Sequence, residues 1–235
     1  MRYAIYFTPP AHDPLTLAAS QWLGRNAFSG DATEPPAIRG IGLHEISFHT
    51  AIPRRSGFHA ALKAPFRLAP EISESMLLRH LMRFAGSHEP FQLPPLEVAR
   101  LGNFFGLVPE IPCERMRLFA CAVVQEFDVF RAPLSDAEFE RSDPGDLSAP
   151  QFANLYRWGH PYVMDEFRFH MALTGPLLPK DGIFIEPALR DYFAPYLTKP
   201  VEVSNLALFV EEEPGAPLQV HSLHPMGRVA ARKIA

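Results

Sequence analysis

The sequence predicts a chain of two similar lobes, each mixing strands and helices, that face each other across one cleft. Two observations predict it. First, Gly57-Phe58-His59-Ala60-Ala61-Leu62-Lys63-Ala64-Pro65 is echoed by Arg168-Phe169-His170-Met171-Ala172-Leu173-Thr174-Gly175-Pro176. In both stretches Phe precedes His, x-Ala-Leu follows, and a Pro stands six residues after the His. Second, the order after each His repeats: a proline turn, a helical pattern, then a strand containing Glu-Val-x-x-Leu (Glu97 to Leu101, Glu202 to Leu206). A period this long is not that of a solenoid, so residues 1–235 are read as one bilobal domain with His59 and His170 on opposing walls.

Each echo reads as a strand closed by its Pro, which has no N–H to give a ladder. Alternation of side chains puts His59, Ala61 and Lys63 on one face and Phe58, Ala60 and Leu62 on the other. It likewise groups Arg168, His170, Ala172 and Thr174 opposite Phe169, Met171 and Leu173. Each strand thus offers an apolar face to a core and a His-bearing face to the cleft.

The remaining elements follow in order. Residues 2–8 read as a strand stopped by Pro9-Pro10. Asp13-Pro14 is an N-cap with Pro at the first helical position, and Leu15, Ala18, Trp22 and Leu23 keep helical spacing up to Gly24 or Asn26. Residues 29–40 read as loop, and 41–50 as either a short strand or a short helix. Ile72 to Ala85 is helical. Leu96 to Val108 reads as a bent hairpin, with Gly102 and Gly106 allowing the bend. Leu118 to Phe130 opens as strand or buried helix and continues as an amphipathic helix. Residues 135–150 form a polar segment, either a lid or a surface loop. Pro187 to Leu197 is helical, 201–210 a strand, 211–217 a turn, and 218–224 its partner strand. The tail, with Arg228, Arg232 and Lys233, is expected to be exposed.

Composition narrows the function. With 47% hydrophobic residues the chain can bury a sizeable core. A net charge of −4, a pI near 6.2 and no Lys/Arg run argue against long nucleic acid as a partner. A small phosphorylated ligand needs only a few convergent cations. Cys113 and Cys121 are too few for a disulfide framework and read as reduced core residues. The N-terminus is too strand-like for a signal peptide, and the longest apolar run, Leu118 to Val124, is too short to span a membrane. The expectation is a cytoplasmic protein with no membrane partner. The 25 prolines are scattered beside turns, which argues for short elements with stiff connections.

Two facing histidines suit phosphodiester cleavage. One imidazole takes a proton from the attacking water or hydroxyl, and the other gives one to the leaving oxygen. Cations and hydroxyls must hold the non-bridging oxygens, where charge accumulates. Lys63, Thr174 and Arg168 on the His faces, and Arg54 just before the first, are the candidates for that work. Neither a metal nor a cofactor is needed. Taken singly, either His is more often structural than catalytic; the matched contexts are what raise the pair above that reading. His44, His49, His88, His160, His221 and His224 lack such context, and His221-x-x-His224 lacks the further ligands of a zinc site. Arg54-Arg55 also reads as a solvated pair, Tyr156, Trp158 and Tyr162 as packing residues, and Glu211-Glu212-Glu213 as a hairpin tip.

These duplicated His signatures resemble the 2H phosphoesterase superfamily of RNA ligase and cyclic phosphodiesterase-like proteins. The blocks Tyr3-Ala4-Ile5-Tyr6-Phe7-Thr8-Pro9, Trp22-Leu23-Gly24-Arg25, Pro53-Arg54-Arg55-Ser56-Gly57-Phe58-His59-Ala60, Leu62-Lys63-Ala64-Pro65-Phe66 and Asp165-Glu166-Phe167-Arg168-Phe169-His170-Met171 resemble one bacterial branch linked to phosphonate metabolism. The resemblance spans nearly the whole chain. It implies a bilobal α+β fold, with two antiparallel sheets flanking a central cleft and helices outside. It also implies cyclic or linear phosphodiester chemistry with His59 and His170 as the acid/base pair. One departure matters: the Ser or Thr two residues after each His, which helps to hold phosphate in that superfamily, is Ala61 in one copy and Ala172 in the other.

The leading expectation is therefore a metal-independent hydrolase of a small cyclic phosphodiester, such as a ribose cyclic phosphate or nucleotide. A phosphate- or nucleotide-binding protein with weak chemistry is the alternative that Ala61 and Ala172 favour. A metal-dependent hydrolase is the third.

Overall fold

The computed structural model describes residues 1–227; the expectation for Arg228, Arg232 and Lys233 lies outside them. Strand β1 (Arg2–Phe7) is buried from Tyr3 onward. Helix α1 (Pro14–Leu23) starts where the Asp13 side chain accepts from Leu15 N at 2.8 Å, and ends at Gly24, whose φ of 76° suits glycine. Residues 41–56 resolve as two short helices, α2 (Leu43–His49) and α3 (Ala51–Ser56). Strand β2 (Ala60–Phe66) follows. Pro65 therefore lies within the strand rather than closing it. The position tolerates proline because β2 is a sheet edge and its pairing shifts register between Lys63 and Phe66.

Ser73 caps α4 (Glu74–Gly86), which leads to β3 (Phe91–Leu93) and the hairpin of β4 (Leu96–Leu101) and β5 (Phe104–Pro109). Gly102 turns the hairpin with φ 63°. Gly106 has a different reason from the expected bend: a Cβ there would meet Met171 O at 2.9 Å, so its absence lets the next strand approach. The apolar run at 118–124 belongs wholly to helix α5 (Glu114–Glu126). Ser135 and Ser148 each form a capping box, starting α6 (Asp136–Glu140) and α7 (Ala149–Trp158).

The second His strand is far shorter than its echo suggests: β6 covers only Met171–Ala172. Helix α8 (Pro179–Phe193) begins eight residues before the expected Pro187, which sits inside it. Pro179 occupies the first turn, where its missing N–H costs nothing. Strands β7 (Val201–Val203), β8 (Asn205–Glu211) and β9 (Gln219–Pro225) are the last elements among the described residues.

The duplication is visible in the connectivity. The first half runs β1-α1-β2-α4-β3-β4, and the second runs β5-α5-β6-α8-β7-β8, with α2 and α3, or α6 and α7, inserted before the His strand. The sheets repeat it: β2-β1-β8-β9 in one, β6-β5-β4 in the other, all antiparallel. Each sheet thus takes its third strand from the opposite half. The matching strands β3 and β7 pair with each other, Gln92 opposite Glu202 at the centre. Glu97 and Glu202, the matched letters of the sequence, consequently fall on non-equivalent strands, β4 and β7.

Trp22, Phe7, Phe105, Phe127, Phe193 and Phe209 are fully buried, and each such side chain contributes about 1.5–3 kcal/mol relative to exposure. Among the described residues no helix is long and apolar enough to cross a membrane.

Candidate active site

β2 and β6 are each the edge of a sheet, and they lie side by side. His59 immediately precedes β2 and His170 immediately precedes β6. Each ring is held in the same way. His59 Nδ1 lies 2.9 Å from Gly57 O, and His170 Nδ1 lies 2.9 Å from Arg168 O, in both cases the carbonyl two residues back. A carbonyl only accepts, so Nδ1 carries the proton and donates it, and Nε2 is left as the reactive nitrogen.

The two environments differ. Phe7 pairs with Ala60 and Tyr6 with Ala61, so Tyr6 lies under His59, its ring stacked at 4.0 Å and 20°. Burial pushes the His59 pKa down to about 4, against the Gly57 hydrogen bond that favours the charged ring; the charge of nearby His170 lowers it further. His59 therefore stays neutral near pH 7, with a free lone pair on Nε2. The residue equivalent to Tyr6 on the second sheet is Gly106, paired with Ala172. His170 meets Phe104 instead, at 5.7 Å between rings. Beside His170 opens a cavity of about 460 Å³, walled by Leu101, Val108, Pro112, Phe167 and Phe169, with Arg117 and Arg168 among its lining.

The backbone before His59 is built for that ring. Gly57 adopts φ 72°, and a Cβ there would stand 2.4 Å from Ala27 Cβ. Both the conformation and the space demand glycine. Trp22 ties α1 to the end of the second His strand: its indole Nε1 donates to Leu173 O at 2.9 Å.

The four residues expected to hold phosphate are placed differently from one another. Ile5 pairs with Lys63 but Tyr6 with Ala61, so Leu62 is an extra residue in β2. That bulge breaks the alternation and turns Lys63 away from the His59 face. Lys63 is buried instead against Asp128, at 3.2 Å, which also takes Arg131 at 2.9 Å. Burial pushes its pKa down to about 8 despite that carboxylate. Thr174 lies past the end of β6 and is buried, its hydroxyl oxygen accepting from Phe105 N at 3.0 Å. Arg54 donates to Leu23 O, Ser47 O and the Thr50 hydroxyl, at 2.6, 2.7 and 2.7 Å, and so braces α1 against α2 and α3. Of the four, Arg168 alone shares a cavity with one of the two motif histidines, His170; it is exposed, with one guanidinium nitrogen donating to Asp165 O and Phe167 O.

Sequence reasoning passed over His160. It follows α7 and is half-buried, and the charge of His170 reaches it. A His between Gly159 and Pro161 reads as loop, and only the fold brings it against Lys63, Ala64 and Pro65 of β2. The polar segment 135–150 holds α6, which Arg67 ties to β2 through Glu138 at 2.9 Å. Among the described residues no group of three or more His, Cys, Asp or Glu is placed to hold a metal ion.

Residues 61–219 match the family described as "Protein of unknown function (DUF1045)". The chain belongs to that family. A protein of Janthinobacterium sp. (strain Marseille) named ribose 1,5-bisphosphate phosphokinase PhnN is 39% identical over 220 residues, 92% of this chain and 49% of that protein. Its namesake in Laribacter hongkongensis (strain HLHK9) is 34% identical over 216 residues, 92% of this chain and 50% of that protein. The chain thus spans about half the length of these curated relatives. A crystal structure of TT0787 of Thermus thermophilus aligns over 97% of this DUF1045 chain and 100% of that one, with a TM-score of 0.44 at 15% identity. A crystal structure of a phosphoesterase gives 0.37 at 13%, over 96% and 98%. Likeness at that level carries no argument about chemistry. The 2H resemblance rests on this chain's own duplication and matched histidines.

Proposed function

We propose that this protein hydrolyses a small cyclic phosphodiester without a metal, using His59 as general base and His170 as general acid. The observation that supports this reading is the matched pair: two histidines at the heads of neighbouring edge strands, each with Nδ1 held by the carbonyl two residues back and Nε2 without a partner among the described residues.

In the reaction, neutral His59 takes a proton from water through Nε2 as the water oxygen attacks phosphorus. One ester P–O bond of the ring breaks. His170 enters the cycle as the imidazolium, with Nδ1 still donating to Arg168 O; the departing oxygen receives its Nε2 proton, leaving His170 neutral, and the product is a phosphate monoester with a free hydroxyl. Exchange with solvent returns both rings to their starting states. The depressed pKa of His59 leaves the ring unprotonated at neutral pH, the state in which it can accept a proton.

The substrate class we favour is a ribose cyclic phosphate. Opening the P–O2 bond of a 5-phosphorylated ribose 1,2-cyclic phosphate yields ribose 1,5-bisphosphate, the sugar phosphate in the relatives' name. The cavity beside His170, about 460 Å³, has the size of a small-molecule site; Arg168 offers it a cation, while Arg117 is paired with Glu114 of the same lining and with Asp165. Turnover of ribose 1,2-cyclic phosphates and 2′,3′-cyclic nucleotides in excess chelator tests the proposal. Chelator-resistant hydrolysis lost in His170→Ala supports it; turnover restored only by added metal contradicts it.

Ala61 and Ala172 favour a second reading, a phosphate- or nucleotide-binding protein with little chemistry. It predicts thermal stabilisation by the same compounds without product.

A further inference from the structure

Strand register shows which residues of the two halves correspond. Ala61 and Ala172, each two residues after its histidine, pair with Tyr6 of β1 and Gly106 of β5. On the far side of those strands Tyr6 pairs with Ala207 of β8, and Gly106 with Ala99 of β4. Two residues along, Ala4 pairs with Phe209, and Phe104 with Leu101. Tyr6 thus corresponds to Gly106, and Phe209 to Leu101.

The corresponding positions are filled differently. On the first sheet, alternation puts Ala4, Tyr6, Ala207 and Phe209 on one face, and they form an apolar cluster apart from the main core. The Tyr6 and Phe209 rings lie 4.9 Å apart, and the His59 ring rests on them at 4.0 and 5.8 Å. Two aromatic rings therefore occupy the space beside His59. On the second sheet Gly106 offers no side chain, and the smaller Leu101 stands where Phe209 does. Leu101 and His170 line the same cavity of about 460 Å³. A cleft between two like halves could hold its ligand either way round; here the place is open beside one histidine and filled beside the other.

We propose that the substrate's sugar sits in the cavity beside His170, in contact with Leu101, and that Tyr6 and Phe209 close the matching place beside His59. The inference rests on the phosphodiester reading above and adds the orientation of the substrate. When the ring of the cyclic ester opens, the departing oxygen stays on the sugar. A sugar seated on the His170 side brings that oxygen to the His170 half and leaves the His59 half to water, which needs no seat. The duplicated site is then directional through packing as well as through protonation. The apolar walls suit the carbon skeleton of a furanose, and Arg168 lines the same cavity.

Leu101→Phe tests this by giving the second half the ring that the first carries at Phe209. Rates are read on a ribose 1,2-cyclic phosphate and, at high enzyme concentration, on ethylene phosphate, a five-membered cyclic ester without a sugar. Filling the seat is expected to lower kcat/KM on the ribose ester roughly 10-fold or more, chiefly through KM. On ethylene phosphate kcat/KM is expected to stay within a few-fold of wild type. If Leu101→Phe melts far below wild type, Leu101→Ala, which removes the contact instead, takes its place, and the same split between substrates is expected. Wild-type kinetics on the ribose ester, or an equal or greater loss on ethylene phosphate, would overturn the seat while leaving the two-histidine mechanism standing. Equal rates on the ribose ester in wild type and His59→Ala would instead remove the phosphodiester reading, and this inference with it.

Discussion

The indole of Trp22, on the first helix, donates to the carbonyl of Leu173, three residues past His170. One buried bond therefore ties the helix of the first half to the His strand of the second. Trp22→Phe keeps an aromatic core but leaves that carbonyl unpaired. The expected cost is about 1–3 kcal/mol of stability, read by denaturant melts, together with a fall in kcat from a less well placed His170.

Gly57→Ala forces a Cβ into Ala27 and a side chain into φ 72°. The strain falls on the carbonyl that orients His59. Destabilisation of about 1–3 kcal/mol is expected, with kcat falling more than KM rises. Wild-type kinetics in Gly57→Ala would detach this turn from the site.

Lys63→Met tests the bulge at Leu62. With Lys63 turned to Asp128 rather than to the cleft, the substitution is expected to change the melting temperature and leave kcat/KM within a few-fold of wild type. A loss of kcat/KM comparable to His59→Ala would return Lys63 to the phosphate.

The histidines set a pH dependence of stability. His59 and His160 have folded-state values near 4, below the unfolded value of about 6.5. Between those limits the unfolded chain binds more protons, so stability rises with pH across that window. Unfolding free energy is expected to fall as pH drops from about 6.5 to about 4, and His59→Gln is expected to flatten the slope. In kinetics, the acid limb of kcat/KM is expected near pH 4. A limb near 6.5 would contradict a buried neutral base.

Strand exchange makes the halves interdependent: β8 completes the first sheet and β4 the second. Severing the chain at Gly102-Asn103, the tip of the β4–β5 hairpin, is expected to give fragments that co-purify when co-expressed and are insoluble or molten when made singly. Folding of the first fragment alone, by circular dichroism and melting, would contradict it.

Much of the fold was legible from local signals. Asp13-Pro14 and Gly24 bound α1, Ser73 starts α4, and Gly102 turns a hairpin; the expected strand 201–210 instead divides at Ser204 into β7, which pairs with β3, and β8, which returns through 211–217 to β9. The repeat around His59 and His170 was legible because both copies hold the ring by the carbonyl two residues back. The phosphate-holding residues were not. Lys63 changed face through a bulge set by pairing with β1, and its partner Asp128 is distant in sequence. Thr174 fell beyond a strand only two residues long. Residues 41–56 lack a clear helical period, because exposed Leu43, Phe48 and Ile52 break it. His160 has no local signature, since its neighbours in space come from β2 and from the stretch before β6.

The most direct measurement is hydrolysis of ribose 1,2-cyclic phosphates in excess chelator by wild type, His59→Ala and His170→Ala. The paired-histidine mechanism predicts turnover by wild type and a loss of roughly 1000-fold in each variant, the middle of the range for one acid/base residue. Equal rates in wild type and either variant would contradict it.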